Sequence, residues 1–213
     1  MIELKNVTFN TKDKIILKDI NLTVPSSERL VILGSSGSGK TTLLRLIAGF
    51  NSPASGEILI DGNIVSQEGK LIVPPDKREV AMVFQDLALW PHMNVYENIA
   101  FGLKIRKIPK NIREEKVREM LSLVSLAGYE KRRIEELSGG QQQRIALARA
   151  LILSPKVLLM DEPLSSLDKT LNKKLRKEII RLQEKFGFAL VYVTHNEEEA
   201  EEIGTRIITL DKP

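Results

Sequence analysis

"RLVILGSSGSGKTTLLRLIAG", residues 29–49, is the stretch on which the fold turns. It opens as an unbroken apolar run, the pattern of a parallel strand covered on both faces. It closes as an amphipathic helix, with Leu43, Leu46 and Ile47 on one stripe and Gly49 as its C-terminal stop. The join, Gly34-Ser35-Ser36-Gly37-Ser38-Gly39-Lys40-Thr41-Thr42, fits G-x-x-x-x-G-K-[ST], with Gly34, Gly39, Lys40 and Thr41 at the fixed positions. Glycines let the backbone curl so that successive N–H groups face phosphate oxygens. The helix start adds the positive end of its dipole. On this reading Lys40 reaches the β- and γ-phosphates and the Thr41 hydroxyl ligates Mg²⁺. A Gly/Ser-rich turn matching by accident is the bland alternative, and the strand before and helix after count against it.

Four more apolar runs follow the same pattern: "VAMVF" at 80–84, "KVLLM" at 156–160, "ALVYV" at 189–193 and "RIITL" at 206–210. Helical patterns follow most of them, including one from about Leu171 to Lys185, so the fold class is α/β with a parallel sheet. "KDINLTV" alternates instead, and "GEILIDGNIV" carries an Asp61-Gly62 hairpin signal. These predict a small antiparallel β part near the N-terminus. Residues 86–153 have helical character without a clear strand, and "REEKVREMLSLVSLAG" is amphipathic with a stop at Gly128. The expected organisation is one domain over 1–213, with an α/β core at 1–85 and 154–213 and a helical lobe at 86–153 inserted into it.

"KVLLMDEP" ends an apolar strand in two carboxylates, Asp161 and Glu162, at the edge where α/β sheets bind ligands. Asp161 suits Mg²⁺, and Glu162 suits activation of a water; alone, the pair would equally serve as an acidic helix cap. With the phosphate loop it reads as the second half of an ATPase or GTPase site. No "NKxD" base-reading motif is present, which disfavours guanine. His195 follows "ALVYVT" at another strand end, a position suited to contacting a γ-phosphate and its attacking water, although taken alone it reads better as a hydrogen-bonded strand-end residue. Gln85 ends "AMVFQ" where core meets lobe, a position able to sense both. His92, beside a proline, reads as structural.

Composition limits the alternatives. The hydrophobic share of 42% and the charged share of 28% suit a globular chain. A net charge of +4 is too mild to suggest nucleic acid as a partner. Without cysteine, disulfides and thiolate metal sites are excluded, and a reducing compartment fits. No signal-peptide layout opens the chain and no apolar run approaches the roughly 20 residues that span a bilayer, so work at a membrane requires a partner.

"ELSGGQQQRIALARAL", residues 136–151, poses a different problem. Ser138 is an ordinary N-cap, but Gly139 and Gly140 cost entropy at a helix start and bring no packing of their own. They read as a second phosphate-binding terminus. One nucleotide would not use both termini within one chain, whereas two chains head to tail would set each phosphate loop against the other's serine and glycines.

The ordered set of phosphate loop, Gln85, "LSGGQ" at 137–141, "MDEP" at 160–163, "SSLD" at 165–168 and "TH" at 194–195 resembles the ATP-binding cassette (ABC) ATPases over essentially the whole chain. The resemblance implies a RecA-like P-loop core with an antiparallel β part and an inserted helical lobe. It implies ATP and Mg²⁺ as ligands. Gly34 to Thr42 would hold the phosphates, Thr41, Gln85 and Asp161 the metal, and Glu162, His195 and Lys40 the catalytic roles. Ser138, Gly139, Gly140 and Gln141 would face the γ-phosphate of the opposite chain, with Asp168 at the dimer seam. "MVFQDLALWPHMNVYENIAFGLK" is most similar to the ATPase subunits of importers for sugars, polyamines, iron, sulfate, molybdate or phosphonates. Such subunits work on the cytoplasmic face of the membrane with transmembrane permease subunits and an extracytoplasmic solute-binding protein, and without nucleic acid. An exporter ATPase, or an ABC ATPase outside transport, is the alternative. There are two departures. Thr11 stands where the family usually has an aromatic residue stacking on adenine, with Phe9 two residues earlier. The chain also stops at "RIITLDKP", without the C-terminal regulatory domain that many importer ATPases carry.

Overall fold

The two strand patterns in the sequence sort into two different sheets. The computed structural model describes residues 1–12 and 14–212. Alternating segments build an antiparallel sheet from β1 (Ile2–Asn10), β2 (Ile15–Val24), β4 (Ser55–Ile60), β5 (Asn63–Gln67) and β6 (Lys70–Leu71), in the order β2-β1-β4-β5-β6. Continuous apolar segments build the other sheet from β3 (Arg29–Leu33), β7 (Val80–Val83), β8 (Val157–Asp161), β9 (Ala189–Thr194) and β10 (Arg206–Thr209), in the order β10-β3-β9-β8-β7. The neighbours β10, β3, β9 and β8 run parallel. Asp61 and Gly62 form the two-residue loop between β4 and β5, both at positive φ (50° and 77°), as a twisted hairpin requires.

The described residues also form six α-helices: α1 (Lys40–Ala48), α2 (Val95–Ile105), α3 (Lys110–Leu123), α4 (Gly139–Leu151), α5 (Lys169–Phe186) and α6 (Glu197–Ile203). Among the described residues no helix is long and apolar enough to cross a membrane. The chain divides into two compact units, the first Met1–Met82, Lys156–Glu162 and Ile180–Pro213, the second Val83–Pro155 and Pro163–Ile179. In the first, Ile2, Leu4 and Ile58 from one sheet join Leu30, Leu159 and Val191 from the other, with Leu43 and Leu46 of α1, in one buried cluster. In the second, α2, α3 and α4 pack on one another. Pro163–Ile179 groups with them because α4 meets the first turns of α5: Arg144 Nε lies 3.1 Å from Glu178 Oε2.

One boundary differs from the sequence reading. α3 stops at Leu123, five residues before Gly128. Ser125 adopts the left-handed conformation (φ 58°), its N–H donates to Ser122 O, and the Leu126 N–H donates to Leu121 O. This is a Schellman stop with buried Leu121 and Leu126 at its ends. A serine does what the pattern assigned to a glycine.

Arg78 is 3% exposed and has no acidic partner among its hydrogen bonds. Nη1 donates to Leu46 O and Ile47 O at the C-terminal end of α1, Nη2 to Val65 O and Ser66 Oγ, and Nε to Val73 O. Burial lowers its pKa to about 10, which still leaves the guanidinium charged, and a cation at a helix C-terminus is favourable. A Cβ on Gly49 would come within 2.5 Å of Arg78 Cζ, so the stop residue of α1 must be small. Replacing Arg78 with Met removes the side-chain donor from Ile47 O and Val73 O, whereas Leu46 O and Val65 O keep backbone donors. It is expected to destabilise the chain by at least about 2 kcal/mol in denaturant unfolding, with Arg78→Lys in between; a loss under about 0.5 kcal/mol would show that the carbonyls find other partners.

Candidate active site

Three adjacent strands carry the site to one edge. Leu33, the last residue of β3, pairs with Thr194, the last of β9, and Asp161, the last of β8, pairs with Val193. The strands end nearly level, so the segments starting at Gly34, Glu162 and His195 leave the same C-terminal edge, where open α/β sheets bind ligands.

The glycines of the loop after β3 answer to different constraints. A Cβ on Gly34 would sit 2.5 Å from Leu210 O and 2.6 Å from Ser38 Oγ. Gly37 and Gly39 take φ of 78° and 99°, where side chains are strained, and Gly39 is also crowded by Leu17 and Ile16 of β2. Ser35 and Ser36 lie between Gly34 and Gly37, and Ser35 O accepts from the Ser38 N–H. Ser38 Oγ is buried with no hydrogen-bond partner. Lys40 and Thr41 open α1, followed by half-buried Thr42. Lys40 Nζ folds back over the loop, donating to Gly34 O at 2.7 Å and Ser35 O at 3.0 Å.

The two carboxylates sit on the same edge with different environments. Thr41 Oγ1 donates to Asp161 Oδ1 at 3.0 Å. Asp161 is 6% exposed, and burial first, with the charge of Glu162 beside it, raises its pKa against the Thr41 bond and the nearby Arg45 and Lys40. Glu162 sits at φ 44° while its N–H still donates to Val193 O, a strained turn straight off the ladder. Its Oε1 is 3.7 Å from Lys40 Nζ and its Oε2 is 2.8 Å from His195 Nδ1. Lys40, Glu162 and His195, predicted from three separate motifs, thus form one connected chain of contacts.

The other predicted residues belong to the second unit. Ser138 caps α4: its Oγ accepts from the Gln141 N–H at 3.4 Å, and its own N–H donates to Gln141 Oε1 at 2.9 Å. The S-x-x-Q spacing is therefore a capping box. Gly140 is buried, and a Cβ there would lie 2.6 Å from Leu171 Cδ2, so this glycine does serve packing, contrary to the sequence reading. Gly139 is exposed, and a Cβ there would meet only Leu167 Cδ2, at 3.5 Å. Asp168 caps α5, its Oδ1 accepting from the Thr170 and Leu171 N–H groups.

Gln85 is exposed just after β7. Leu87 and Ala88, two and three residues on, both take positive φ (61° and 45°). Arg149 of α4 donates to both of their carbonyls, at 2.7 and 2.6 Å, and its guanidinium lies 4.8 Å over the Trp90 ring. Nothing in the sequence around Arg149 signals this grip, since its partners lie some sixty residues away. His92 is exposed in the turn before α2. Phe9 packs against the core of the first unit, while Thr11 is exposed in the turn after β1, donating to Lys14 O.

Because burial raises the Asp161 pKa, its ionised form costs stability at neutral pH. The sign follows: stability from this group is full below its ordinary value of 3.8 and is lost as pH rises through the raised value. In protein freed of divalent cations, Asp161→Asn is expected to raise the melting temperature at pH 7. The gain should vanish as pH falls below the ordinary aspartate value; a loss at pH 7 would mean that the ionised form is favoured in the fold.

A family model described as ABC transporter matches residues 17–165. A spermidine/putrescine import ATP-binding protein of Clostridium novyi is 49% identical over 212 residues, which is 100% of this chain and 60% of that protein. An Fe(3+) ions import ATP-binding protein of Escherichia coli K12 is 44% identical over 211 residues, 99% of this chain and 59% of that protein. The chain thus spans about 60% of the length of the curated relatives it matches. Among solved structures, a dimeric ATP-binding cassette in a post-hydrolysis state with ADP and phosphate has a TM-score of 0.85 at 33% identity, covering 99% of this chain and 94% of its own. Part of an ABC transporter complex from Clostridium perfringens has a TM-score of 0.87 at 28% identity, covering 99% and 84%. Because that family model spans more than half of it, the chain belongs to the ABC transporter family.

Proposed function

We propose that this chain is the ATP-hydrolysing subunit of a solute importer. The observation that carries the reading is the connected set at the sheet edge, Lys40–Glu162–His195, beside the Thr41–Asp161 pair. In this reading the loop from Gly34 to Thr42 binds the ATP phosphates. Lys40 exchanges its loop carbonyls for phosphate oxygens. Glu162 takes a proton from the attacking water, and His195, anchored on Glu162, holds the γ-phosphate side of the site.

Mg²⁺ fits the residues present. Asp161 and Thr41 already offer two oxygens 3.0 Å apart. Among the described residues no group of three or more His, Asp or Glu forms a metal cage. A small donor set suits an ion that keeps waters and takes its other ligands from phosphates. Gln85 joins Thr41 and Asp161 as the third proposed ligand. When bound, Mg²⁺ neutralises charge on the phosphate oxygens.

The proposed organisation is one nucleotide-binding domain whose helical part is 86–153. Two copies sandwich ATP head to tail, each supplying Ser138, Gly139, Gly140 and Gln141 to the other's nucleotide, with Asp168 at the seam. The exposed Gly139, for which the chain's own packing has little use, supports this arrangement. Transmembrane permease subunits and, through them, an extracytoplasmic solute-binding protein complete the system at the cytoplasmic face of the membrane. The import names of the relatives favour this direction over an exporter or a non-transport ATPase. Adenine is expected to be held weakly, or by Phe9, which is half-buried against the core.

Glu162→Gln is expected to keep ATP binding and lower phosphate release at least about a hundredfold, the scale of one general base. Near-parent turnover would remove Glu162 from that role. The second test uses the absence of cysteine. With Ser36→Cys and Ser138→Cys in a Glu162→Gln background, ATP should increase a disulfide- or short-reagent-linked dimer, since such a bond needs Cα atoms within about 7 Å. Linkage confined to single chains would overturn the head-to-tail arrangement.

A further inference from the structure

His195 carries its imidazole on a short turn between β9 and α6, and the ring itself is 61% exposed. What keeps it against Glu162 must therefore act largely through the backbone of that turn. Behind the turn lies Glu199, only 3% exposed and without a place in the hydrolysis scheme above. Its Oε2 accepts two hydrogen bonds, from Tyr192 Oη at 2.9 Å and from Thr194 Oγ1 at 2.8 Å. Thr194 Oγ1 in turn accepts from the Asn196 N–H at 3.1 Å. Asn196 Oδ1 accepts from the Glu199 N–H at 3.2 Å, which caps α6.

The residues before and after His195 are thus tied to each other and to one buried carboxyl group. Tyr192 is fully buried in β9, paired with Val31 and Met160 of the flanking strands, so the carboxyl is referenced to the same sheet that carries Glu162. The loop around His195 is closed by four hydrogen bonds, and two of them end on a single oxygen.

We propose that Glu199 is a positioning residue for His195, holding the β9–α6 turn so that the imidazole stays on Glu162. The catalytic consequence rests on the hydrolysis reading above; the positional one does not. A displacement of about 1 Å at a reacting centre costs up to a hundredfold in rate. A carboxyl that merely satisfied two buried hydroxyls would affect folding without acting through His195.

Two substitutions separate these roles. Glu199→Met keeps length and bulk but removes the acceptor. Glu199→Gln can offer its amide oxygen to both hydroxyls. Glu199→Met is expected to lower kcat by about ten- to a hundredfold with KM for ATP changed less than about twofold. Glu199→Gln should restore most of the rate, and in a His195→Ala background Glu199→Met should cost nothing further. The chain has two histidines, so the His195 imidazole signals in an NMR spectrum are assigned by one His92→Gln variant. Glu162→Gln should move those signals in the otherwise unchanged chain and leave them unmoved when combined with Glu199→Met. A rate loss that persists without His195, or a His195 signal that still responds to Glu162→Gln beside Glu199→Met, overturns the proposal. If the chain shows no turnover at all, the hydrolysis reading fails and the NMR comparison still decides the positioning. If Glu199→Met does not fold, Thr194→Val removes one hydroxyl while keeping the branched strand residue, and is read in the same two ways.

Discussion

Three parallel strands that end level impose the main constraint on this molecule. Register between β3 and β9 sets Leu33 beside Thr194, and register between β9 and β8 sets Val193 beside Asp161. A slip of one residue would turn every side chain on the slipped strand to the other face. The hydrophobic cluster against the antiparallel sheet resists such a slip, since Leu30, Ile32, Leu159, Val191 and Val193 all belong to it. Core packing and site geometry are therefore the same fact: burying the strands fixes where Gly34, Glu162 and His195 emerge. Stability is given up locally in return, at the buried Asp161 and the strained Glu162.

Much of this was legible in the sequence because it is local. Arg29–Leu33 forms the strand that its apolar run predicts, α1 runs from Lys40 to its stop at Gly49, and Asp61-Gly62 turns the hairpin. Lys40, Glu162 and His195 lie in motifs far apart in the chain, yet each motif begins at the end of a readable strand, so adjacency of strands brings the motifs together. What escaped is what depends on distant partners. Nothing near Arg78 indicates that its guanidinium seals the end of α1, and nothing near Arg149 indicates that it grips Leu87 and Ala88. Glu199 sits in "NEEEAEEI", where five glutamates look alike, and only burial tells it from its neighbours.

The paired glycines show how one short stretch can serve two masters. Gly140 is required by Leu171 of the same chain, and Ser138 and Gln141 are used up in a capping box. Gly139 alone has neither a close neighbour in its own chain nor a left-handed conformation to explain it. A sequence pattern read as wholly functional thus divides into a part that builds the helix and a part left for something outside the chain.

The loop after Gln85 has a mechanical consequence. Leu87 and Ala88 are held in conformations that cost on the order of 1–3 kcal/mol each, and the grip of Arg149 keeps them there. One guanidinium thus ties two loop carbonyls and the Trp90 ring to a single helix. That helix, α4, also carries the exposed Gly139 in its first turn, so the loop and the helix start are joined through one element.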